Sequence, residues 1–272
     1  MTLNKRYRRN IKRNFSFYLC MTLLTLLAVF LDLLFSGIVT GEKAYLDNFR
    51  ETAKCEDGQF ITYQALTEDD IKSLESEYDV IIEKQQYFDY SIEEDYRIRV
   101  FSPNEKLNDY VITEGEDIVS DTDILISSGL AQARGINLGD KISIDTKEYN
   151  VTGFFARIDY LLMLEASSDT ISNPSEFGIA IVTDSVFDSF KKEDVSSYYS
   201  VAYNADNELE FRKHLNEKYI TASYLVADNN SRINTAPNLV DRYSSLCTAV
   251  LPFMLICILY LFIFSFLNKA EA

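Results

Sequence analysis

Two long apolar segments, one near each end of the chain, dominate its pattern of hydrophobic and polar residues. The first, Phe15–Thr40, carries one charge, at Asp32, and the second, Leu246–Leu267, carries none over twenty-two residues. At ~1.5 Å rise per residue, each is long enough to cross a bilayer hydrocarbon layer of ~30 Å as a helix. A proline at Pro252 is tolerated in such a helix. The pattern therefore predicts transmembrane helices at 15–40 and 246–267.

A cleaved secretory signal is the alternative for the first segment, because a basic leader precedes it. Signal sequences have a shorter apolar region of ~7–15 residues and end at a small-x-small site. The residues Ile38-Val39-Thr40 offer no such site, which favours a membrane anchor. An acid within a span is a functional candidate, although the position of Asp32 near the outer end of the span favours a tolerated interfacial charge.

The distribution of charge sets the orientation of the two spans. Residues 1–14 hold six basic residues and no acid, and the positive-inside rule places such a flank in the cytoplasm. The sequence thus predicts a cytoplasmic basic segment (1–14), an extracytoplasmic domain with helical stalks (41–245) and a cytoplasmic tail (268–272). The protein is expected in a cell membrane, with both termini in the cytoplasm.

The predicted outer domain is strongly acidic and contains one cysteine. Residues 41–245 have 19 basic and 40 acidic residues, a balance of −21, which repels nucleic acid and anionic lipid. With Cys55 alone in this region, no disulfide framework can form, which is typical of a bacterial envelope protein rather than a eukaryotic secreted one. Cys55 is expected to react with a membrane-impermeant thiol reagent.

Short strand-like and helix-like segments alternate between the spans. Glu42–Lys54 is helix-compatible and is predicted to prolong the first span as a stalk, and Thr67 is placed to cap a helix that runs to about Tyr78. Strands are predicted at Gln59–Tyr63, Val80–Glu83 and Tyr96–Phe101. This alternation is typical of an α+β domain in which helices cover one face of a mixed sheet, with an arrangement in two lobes left open.

The second half of the domain repeats the alternation. Tyr160–Leu164 is an apolar run that predicts a core strand, the alternative being an exposed loop that binds a lipid, peptide or partner. The further predicted elements are a strand at Gly178–Thr183, a capped helix from Asp184 to Phe190, a strand at Ser200–Asn204, a helix from Asp206 to Tyr219, a strand at Thr221–Ala227 and a return stalk at Ile233–Ser245.

Five of the nine glycines lie between Val111 and Gly153, namely Gly115, Gly129, Gly135, Gly139 and Gly153. A short strand is predicted at Ile124–Ser127, followed by a helix, Gly129–Arg134, that Ser127 or Ser128 caps and Gly135 stops. Gly139 and Asp140 form a turn into a predicted hairpin. These residues form a structural motif, and none of them is expected to be catalytic.

The residues around these glycines carry a resemblance to a known family. The quoted run is Glu114-Gly115, Asp123-Ile124-Leu125-Ile126-Ser127, Leu130-Ala131, Gly135-Ile136-Asn137-Leu138-Gly139-Asp140-Lys141 and Tyr149-Asn150-Val151-Thr152-Gly153. It resembles the extracytoplasmic core domain of the MacB/FtsX-like permeases of ABC transporters, and Arg9–Asn14 is similar to the Arg-Asn repeat before their first membrane helix. The resemblance implies a permease subunit, not an enzyme, that couples a separate cytoplasmic ATPase to motion of the outer domain for export or envelope substrate handling. A second permease chain or a homodimer is a further implied partner.

The N-terminal segment has an apolar residue at every fourth position, at Leu3, Tyr7 and Ile11. This spacing is typical of a helix that lies on a membrane surface. We expect these three residues to be partner contacts, and the alternative is a basic flank whose only role is orientation.

No motif in the sequence arranges residues for catalysis or for metal binding. His214 is the only histidine and has no cysteine neighbour, which argues against a zinc site or a histidine-based triad. There is no Gly-x-x-x-x-Gly-Lys-Ser/Thr loop for ATP hydrolysis. We therefore expect no catalytic residue, metal or cofactor.

The alternative function is a two-span ligand sensor or an accessory membrane protein. The five residues after Leu267 are too few for the coupling loop of a full permease or for the output module of a sensor. The sequence therefore leaves open a fragment, a split gene or a reduced protein.

Overall fold

The computed structural model describes residues 9, 12–92, 96–190 and 195–270, without the side chains of 251 and 265–270. The chain divides into two compact units, which are described separately. One contains the described residues up to Leu46 and from Asn238 onward, and the other is Asp47–Pro237.

Two long helices, α1 (Phe15–Thr52) and α6 (Ser231–Ala270), supply the first unit. Both are long and apolar enough to cross a membrane, and the apolar windows of both are almost entirely exposed. Lys43 on α1 forms an ion pair with Asp241 on α6, with 2.9 Å between Nζ and Oδ1. α1 continues through the predicted stalk without a break as far as Thr52.

The second unit is built from ten strands and four helices in its described residues. The strands are β1 (Gly58–Thr62), β2 (Val80–Ile92), β3 (Tyr96–Phe101), β4 (Tyr110–Gly115), β5 (Asp123–Ser127), β6 (Lys141–Ile144), β7 (Lys147–Arg157), β8 (Phe177–Ile181), β9 (Ser196–Tyr203) and β10 (Thr221–Val226). The helices are α2 (Glu68–Tyr78), α3 (Ser128–Arg134), α4 (Asp184–Asp188) and α5 (Glu208–Tyr219), with 3₁₀ turns at Ile158–Tyr160 and Ala227–Asn229.

All ten strands belong to one mixed sheet in the order β10-β1-β9-β2-β3-β8-β5-β7-β4, with β6 paired to β7. The β3–β8 and β5–β7 pairs are parallel and the others antiparallel. The order β10-β1-β9-β2 interlocks two β-α-β units, β1-α2-β2 and β9-α5-β10, which is the split β-α-β arrangement of ferredoxin-like domains. The two halves predicted from the sequence thus share one continuous sheet, and the α+β prediction is confirmed.

The helices cover one face of this sheet. Residues an even number apart in a strand share a face, and Val80, Ile82 and Phe88 of β2 are such residues. Val80 and Ile82 pack with Leu74 of α2 and with α5, whereas Phe88 packs in the cluster that contains α3 and α4. Both clusters therefore lie on the same face, as the sequence predicts. The other face carries a third apolar cluster, which includes Phe101, Leu125 and Ile179, together with loops and buried polar side chains.

The start of α2 is fixed by a capping box. The Thr67 hydroxyl accepts a hydrogen bond from the backbone N–H of Asp70 at 3.2 Å, and the Asp70 carboxylate accepts from the backbone N–H of Thr67 at 3.1 Å. The predicted cap at Thr67 is confirmed.

The predicted serine cap of α3 is wrong, although Ser127 occupies the N-cap position. Ser127 makes no side-chain capping bond, because its hydroxyl accepts from the backbone N–H of Ile179 at 3.1 Å. The Ser128 hydroxyl lies 3.1 Å from the carbonyl oxygen of Phe155, to which it donates. Both serines thus tie the helix to neighbouring strands instead of to its own first turn.

The predicted core strand at Tyr160–Leu164 is also wrong. The chain leaves β7 at Arg157, makes one 3₁₀ turn and then runs as an irregular loop. Tyr160, Met163 and Leu164 are nevertheless buried, so the exposed-loop alternative fails as well. The backbone carbonyls of this loop are bound by arginine side chains rather than by a neighbouring strand, as described below.

The glycines of the predicted motif serve two different needs. Gly135 ends α3 with φ +67°, and its N–H donates to the carbonyl of Ala131, which confirms the predicted stop. A Cβ on Gly153 would lie 2.4 Å from the carbonyl oxygen of Glu116, so that position requires glycine for close backbone packing. Gly129 has neither need, since a Cβ there would meet the side chains of Met163 and Pro174 at ordinary contact distances of 3.4 and 3.7 Å.

We predict that Gly135→Val lowers the free energy of unfolding by at least about 1 kcal/mol, because a β-branched residue is strained at positive φ. Gly129→Ala is the matched control and should be neutral or stabilising, since alanine favours the helix interior. Urea unfolding of residues 41–245, followed by circular dichroism, measures both. A Gly135→Val variant as stable as wild type would contradict the assigned backbone conformation.

Candidate functional site

Buried polar side chains collect on the sheet face that the helices leave uncovered. Glu83, Gln85 and Tyr87 of β2 alternate with the core residues, and the paired residues of β9 continue this row. The buried polar residues of the second unit are Glu56, Gln85, Arg99, Asn108, Ser127, Arg157, Asp159, Ser200, Asn230 and Arg232. All except Ser127 take part in the contacts described next, which form the candidate site.

Glu56 lies at the centre of one set of these contacts. Its Oε2 accepts hydrogen bonds from the Ser200 hydroxyl and, at 2.9 Å, from Nδ2 of Asn108. Its Oε1 accepts from Nδ2 of Asn230 at 3.5 Å. The backbone N–H of Glu56 donates to Oδ1 of Asn108 at 3.0 Å, so the acid and the amide bind each other twice.

The environment of Glu56 favours a proton on its carboxylate. Burial, and after it the nearby Asp159 carboxylate, raise the pKa of Glu56 to about 7. Hydrogen bonds from Ser200 and Asn108, and the charge of Arg157, act in the opposite direction and are outweighed. The side chain therefore changes charge near neutral pH inside the domain.

Arg157 and Asp159 form a fully buried ion pair beside Glu56. Nε and Nη2 of Arg157 donate to the two carboxylate oxygens of Asp159 at 2.7 and 2.9 Å, and Nη2 also donates to Oε1 of Gln85 at 3.1 Å. The guanidinium stacks 4.2 Å from the ring centre of Phe101. Burial lowers the pKa of Arg157, but the Asp159 carboxylate together with Tyr198 and Tyr160 outweighs it, and the pKa lies above its ordinary value.

Two further arginines hold the loop that follows β7. Arg99 binds both oxygens of Asp89 at 2.7 and 2.8 Å and donates to the Tyr160 hydroxyl at 2.9 Å and to the Glu165 carbonyl at 3.0 Å. Arg232 donates from Nε to the Leu164 carbonyl at 3.2 Å and lies 4.8 Å from the Tyr160 ring centre. These bonds satisfy backbone groups that a strand pairing would otherwise satisfy.

The network brings together the two points at which the long helices join the sheet domain. Glu56 lies four residues after the last residue of α1, Thr52, while Asn230 immediately precedes α6 and Arg232 is its second residue. Within Asp47–Pro237, the Glu56–Asn230 contact therefore connects both ends of the domain to Ser200 in the middle of the sheet.

The residues singled out from the sequence lie elsewhere or outside the described residues. Gly115, Gly139 and Gly153 shape the backbone around β4, β6 and β7. Asp140 closes a turn, its carboxylate accepting from the backbone N–H of Asn137 at 2.7 Å. Leu3, Tyr7 and Ile11 lie outside the described residues, so their role stays a prediction.

Asp32 lines an apolar groove of about 320 Å³ in the first unit. Among the groove's lining residues, only Tyr243 and Cys247 offer further polar side chains. The groove has no constellation of polar groups that resembles a catalytic site.

Sequence reasoning missed the buried network. Glu56 stands in the run Lys54-Cys55-Glu56-Asp57, where nothing distinguishes it from exposed acids. The buried arginines were equally hard to identify. The one available signal is that Arg99 and Arg157 lie within apolar strands.

Among the described residues, no group of three or more His, Cys, Asp or Glu side chains is arranged for a metal ion. The chemistry that the network offers is proton uptake at Glu56.

The observed architecture is that of a mixed α+β core domain with a candidate membrane helix at each end. Among solved structures, the chain is similar to the extracellular domain of the noncanonic ABC-type transporter YknZ from Gram-positive bacteria, with 16% identity, a TM-score of 0.36, and coverage of 62% of this chain and 97% of that one. It is also similar to the periplasmic region of MacB from Actinobacillus actinomycetemcomitans, with 11% identity, a TM-score of 0.37, and coverage of 68% and 91%. MacB, whose family the sequence resembles, is thus among the similar solved structures.

A third similar structure is a putative lipoprotein from Bacillus anthracis, with 10% identity, a TM-score of 0.29, and coverage of 62% and 96%. No family model and no curated protein matches the chain. Because all three TM-scores are below 0.5 and all identities are below 25%, the function of this chain has to be argued from its own residues.

We predict that the domain loses stability as the pH rises from 4.5 to 7. Folding raises the pKa of Glu56 from 4.5 to about 7, so the folded state binds the proton more tightly. The stabilisation that this proton contributes is complete below pH 4.5 and is lost above about pH 7. The loss amounts to about 3 kcal/mol at ~1.4 kcal/mol per pKa unit. Urea unfolding of residues 41–245 at a series of pH values measures it.

Glu56→Gln should abolish this pH dependence, because its amide is neutral at every pH. The variant should match the protonated wild type near pH 4.5 and exceed the stability of wild type above pH 7. Glu114→Gln, on an exposed residue of β4, is the control and should follow the wild-type curve. Parallel curves for wild type and Glu56→Gln would show that Glu56 does not titrate in this range.

Proposed function

We propose that this chain is a membrane subunit of a MacB/FtsX-type ABC transporter, in which a separate cytoplasmic ATPase drives motion of the extracytoplasmic domain. The observation that carries the proposal is the buried network in which the Glu56 carboxylate, shortly after α1, binds Asn230, just before α6, and Ser200 in the sheet. The sequence resemblance around residues 114–153 supports the same family. Export, or handling of an envelope substrate, is the activity that this arrangement serves.

The network suits the transmission of force because its bonds are directional. Those between Glu56 and Asn108 are 2.9 and 3.0 Å long, and the contact between Glu56 and Asn230 is longer, at 3.5 Å. A hydrogen bond weakens steeply outside its narrow range of distance and angle, so a displacement of about 1 Å at Asn230 disturbs the contact with Glu56. Leaving a buried polar group unpaired costs about 1–3 kcal/mol. Movement at either helix junction is therefore resisted unless Ser200 and its strand move as well.

The ion pair between Arg157 and Asp159, next to the contact between Glu56 and Asn230, connects further strands of the domain. Arg157 lies at the end of β7 and binds Gln85 of β2 and Asp159 of the following turn. Removing one partner from a buried pair costs about 3–5 kcal/mol, which makes the arrangement resistant to separation. β7, β2 and the loop after β7 thus remain together while the helix junctions bear load.

The proposal places residues 41–245 outside the cell and both termini in the cytoplasm. Cys55 is a poor reporter of this topology, because burial raises its pKa to about 12 and the reactive form is the thiolate. Ile171, with 83% of its side chain exposed, is a better position.

We predict that an impermeant maleimide applied to intact cells labels Ile171→Cys much more strongly than wild type. Asn10→Cys should become labelled only after the membrane is permeabilised, because the basic leader is expected to stay in the cytoplasm. Labelling is read on the purified chain by gel shift. Labelling of Asn10→Cys in intact cells would reverse the proposed orientation.

We further predict that the chain alone has no ATPase activity and co-purifies with a cytoplasmic ABC ATPase from detergent-solubilised membranes. Replacing Leu3, Tyr7 and Ile11 by Ser should reduce recovery of that ATPase at least about tenfold, because the apolar row that meets the partner is lost. Membrane insertion should be unchanged, since the basic residues and both spans remain.

The matched control replaces Lys5 and Lys12 by Arg, on the opposite face of the predicted helix at 3.6 residues per turn, and should retain the ATPase. Recovery of a histidine kinase in place of an ATPase would support the two-span sensor instead. If the triple variant recovers as much ATPase as wild type, Leu3, Tyr7 and Ile11 do not contribute to the interface. The proposed association with an ATPase would still stand.

A further inference from the structure

The groove between the two long helices of the first unit has the size and the lining of a ligand site. Its volume is about 320 Å³, and small-molecule sites are apolar pockets of ~300–1,000 Å³ with a few polar groups. On α1 the groove is lined by residues at helical spacing, which share one face of the helix: Ala28, Leu31, Asp32 and Phe35. Ala28 is 2% exposed, and a side chain this small allows two membrane helices to approach closely.

The groove leads from the end of each span towards its middle. On α6, Tyr243 precedes the predicted span 246–267 by three residues, whereas Val250 and Met254 lie within that span. At ~1.5 Å per residue, Tyr243 and Met254 are ~16 Å apart along the helix. On α1, Ala28 lies near the middle of the span 15–40, and Asp32 lies nearer the end that continues into the sheet domain.

Asp32 is the one charged residue among those that line the groove. Its side chain is half-buried, and within the described residues it has no hydrogen-bond or ion-pair partner. Lys43, eleven residues further along α1, pairs with Asp241, and Arg242 does not line the groove. A charged side chain within a span is costly unless it is paired, so the carboxylate selects a positively charged ligand.

We propose that this groove binds a cationic amphiphile, a molecule with one positively charged group and an apolar chain. The charged group pairs with Asp32, and the chain packs along Ala28, Val250 and Met254 towards the middle of the membrane. Residues 41–245, with 19 basic and 40 acidic residues, attract such a cation to the same side of the membrane. The proposal depends on the two spans, and not on the ATPase or on export.

Other ligands match the groove less well. A hard metal ion such as Ca²⁺ takes about 6–8 oxygen ligands, whereas the groove offers one carboxylate and one phenol among apolar side chains. Fatty acids and anionic phospholipids have the same sign of charge as Asp32 and are repelled. A helix is ~10–12 Å wide with its side chains, so a partner's helix is too large to enter and can insert only side chains.

The test compares two photoreactive probes that share a diazirine-bearing dodecyl chain, one ending in an amine and the other in a hydroxyl group. The full chain is reconstituted in phosphatidylcholine nanodiscs, each probe is titrated, and labelled residues are located by mass spectrometry. The amine should label residues of the groove saturably. Its half-saturating concentration should be at least about tenfold lower than that of the alcohol.

Asp32→Asn should raise the half-saturating concentration of the amine at least about tenfold and leave that of the alcohol unchanged, because it removes the charge and keeps the size. Each probe partitions equally into bilayers that hold wild type or variant, so this ratio measures the carboxylate alone. Glu42→Gln is the matched control and should behave as wild type, since Glu42 is an exposed acid of α1 outside the groove. Ala28→Leu should weaken labelling by both probes, because the larger side chain fills the groove.

Amine labelling that Asp32→Asn leaves unchanged would overturn the proposal. Equal half-saturating concentrations of amine and alcohol in wild type would also overturn it, and would assign the groove to uncharged lipid chains. A third contrary result is a protein that co-purifies with wild type but not with Asp32→Asn, without saturable labelling by the amine, which would assign the groove to a partner's transmembrane helix. Asp32→Asn should insert as wild type does, since removal of a charge from a span favours insertion.

Discussion

The burial of the Glu56 carboxylate is the constraint on which the rest of the domain depends. A carboxylate without access to water must be hydrogen-bonded or protonated, and here its partners are Asn108, Ser200 and Asn230. These residues come from a loop before β4, from a central strand and from the residue before α6. One side chain thereby holds together parts of the chain that are up to 174 residues apart.

The arginines of the same sheet face obey a related constraint. Arg99, Arg157 and Arg232 are buried, and each has oxygen acceptors and an aromatic ring for its guanidinium. Arginine retains its charge at any accessible pH, so these contacts stay in place while Glu56 gains or loses its proton. The domain thus combines a permanently charged framework with one group that titrates near neutral pH.

The elements that local rules decide could be predicted from the sequence. Thr67 with acids after it defined the start of α2, Gly135 defined the end of α3, and the run around residues 141–154 defined a hairpin. The strand predicted at Tyr160–Leu164 is wrong because the apolar side chains of Tyr160 and Met163 pack against those of the sheet, while distant arginines, and not a neighbouring strand, bind the backbone of this loop. Glu56 could not be chosen among 42 acidic residues, since its burial depends on partners brought together only by the complete sheet.

The loop after β7 is held through its main chain, and this has an evolutionary consequence. Arg99 and Arg232 bind the carbonyl oxygens of Leu164 and Glu165, and every amino acid has a carbonyl oxygen. Substitutions at the half-buried Leu161 and Leu162 therefore leave these anchoring bonds available. Such a loop can diverge between related proteins, changing the surface it presents, while its path across the sheet is inherited unchanged.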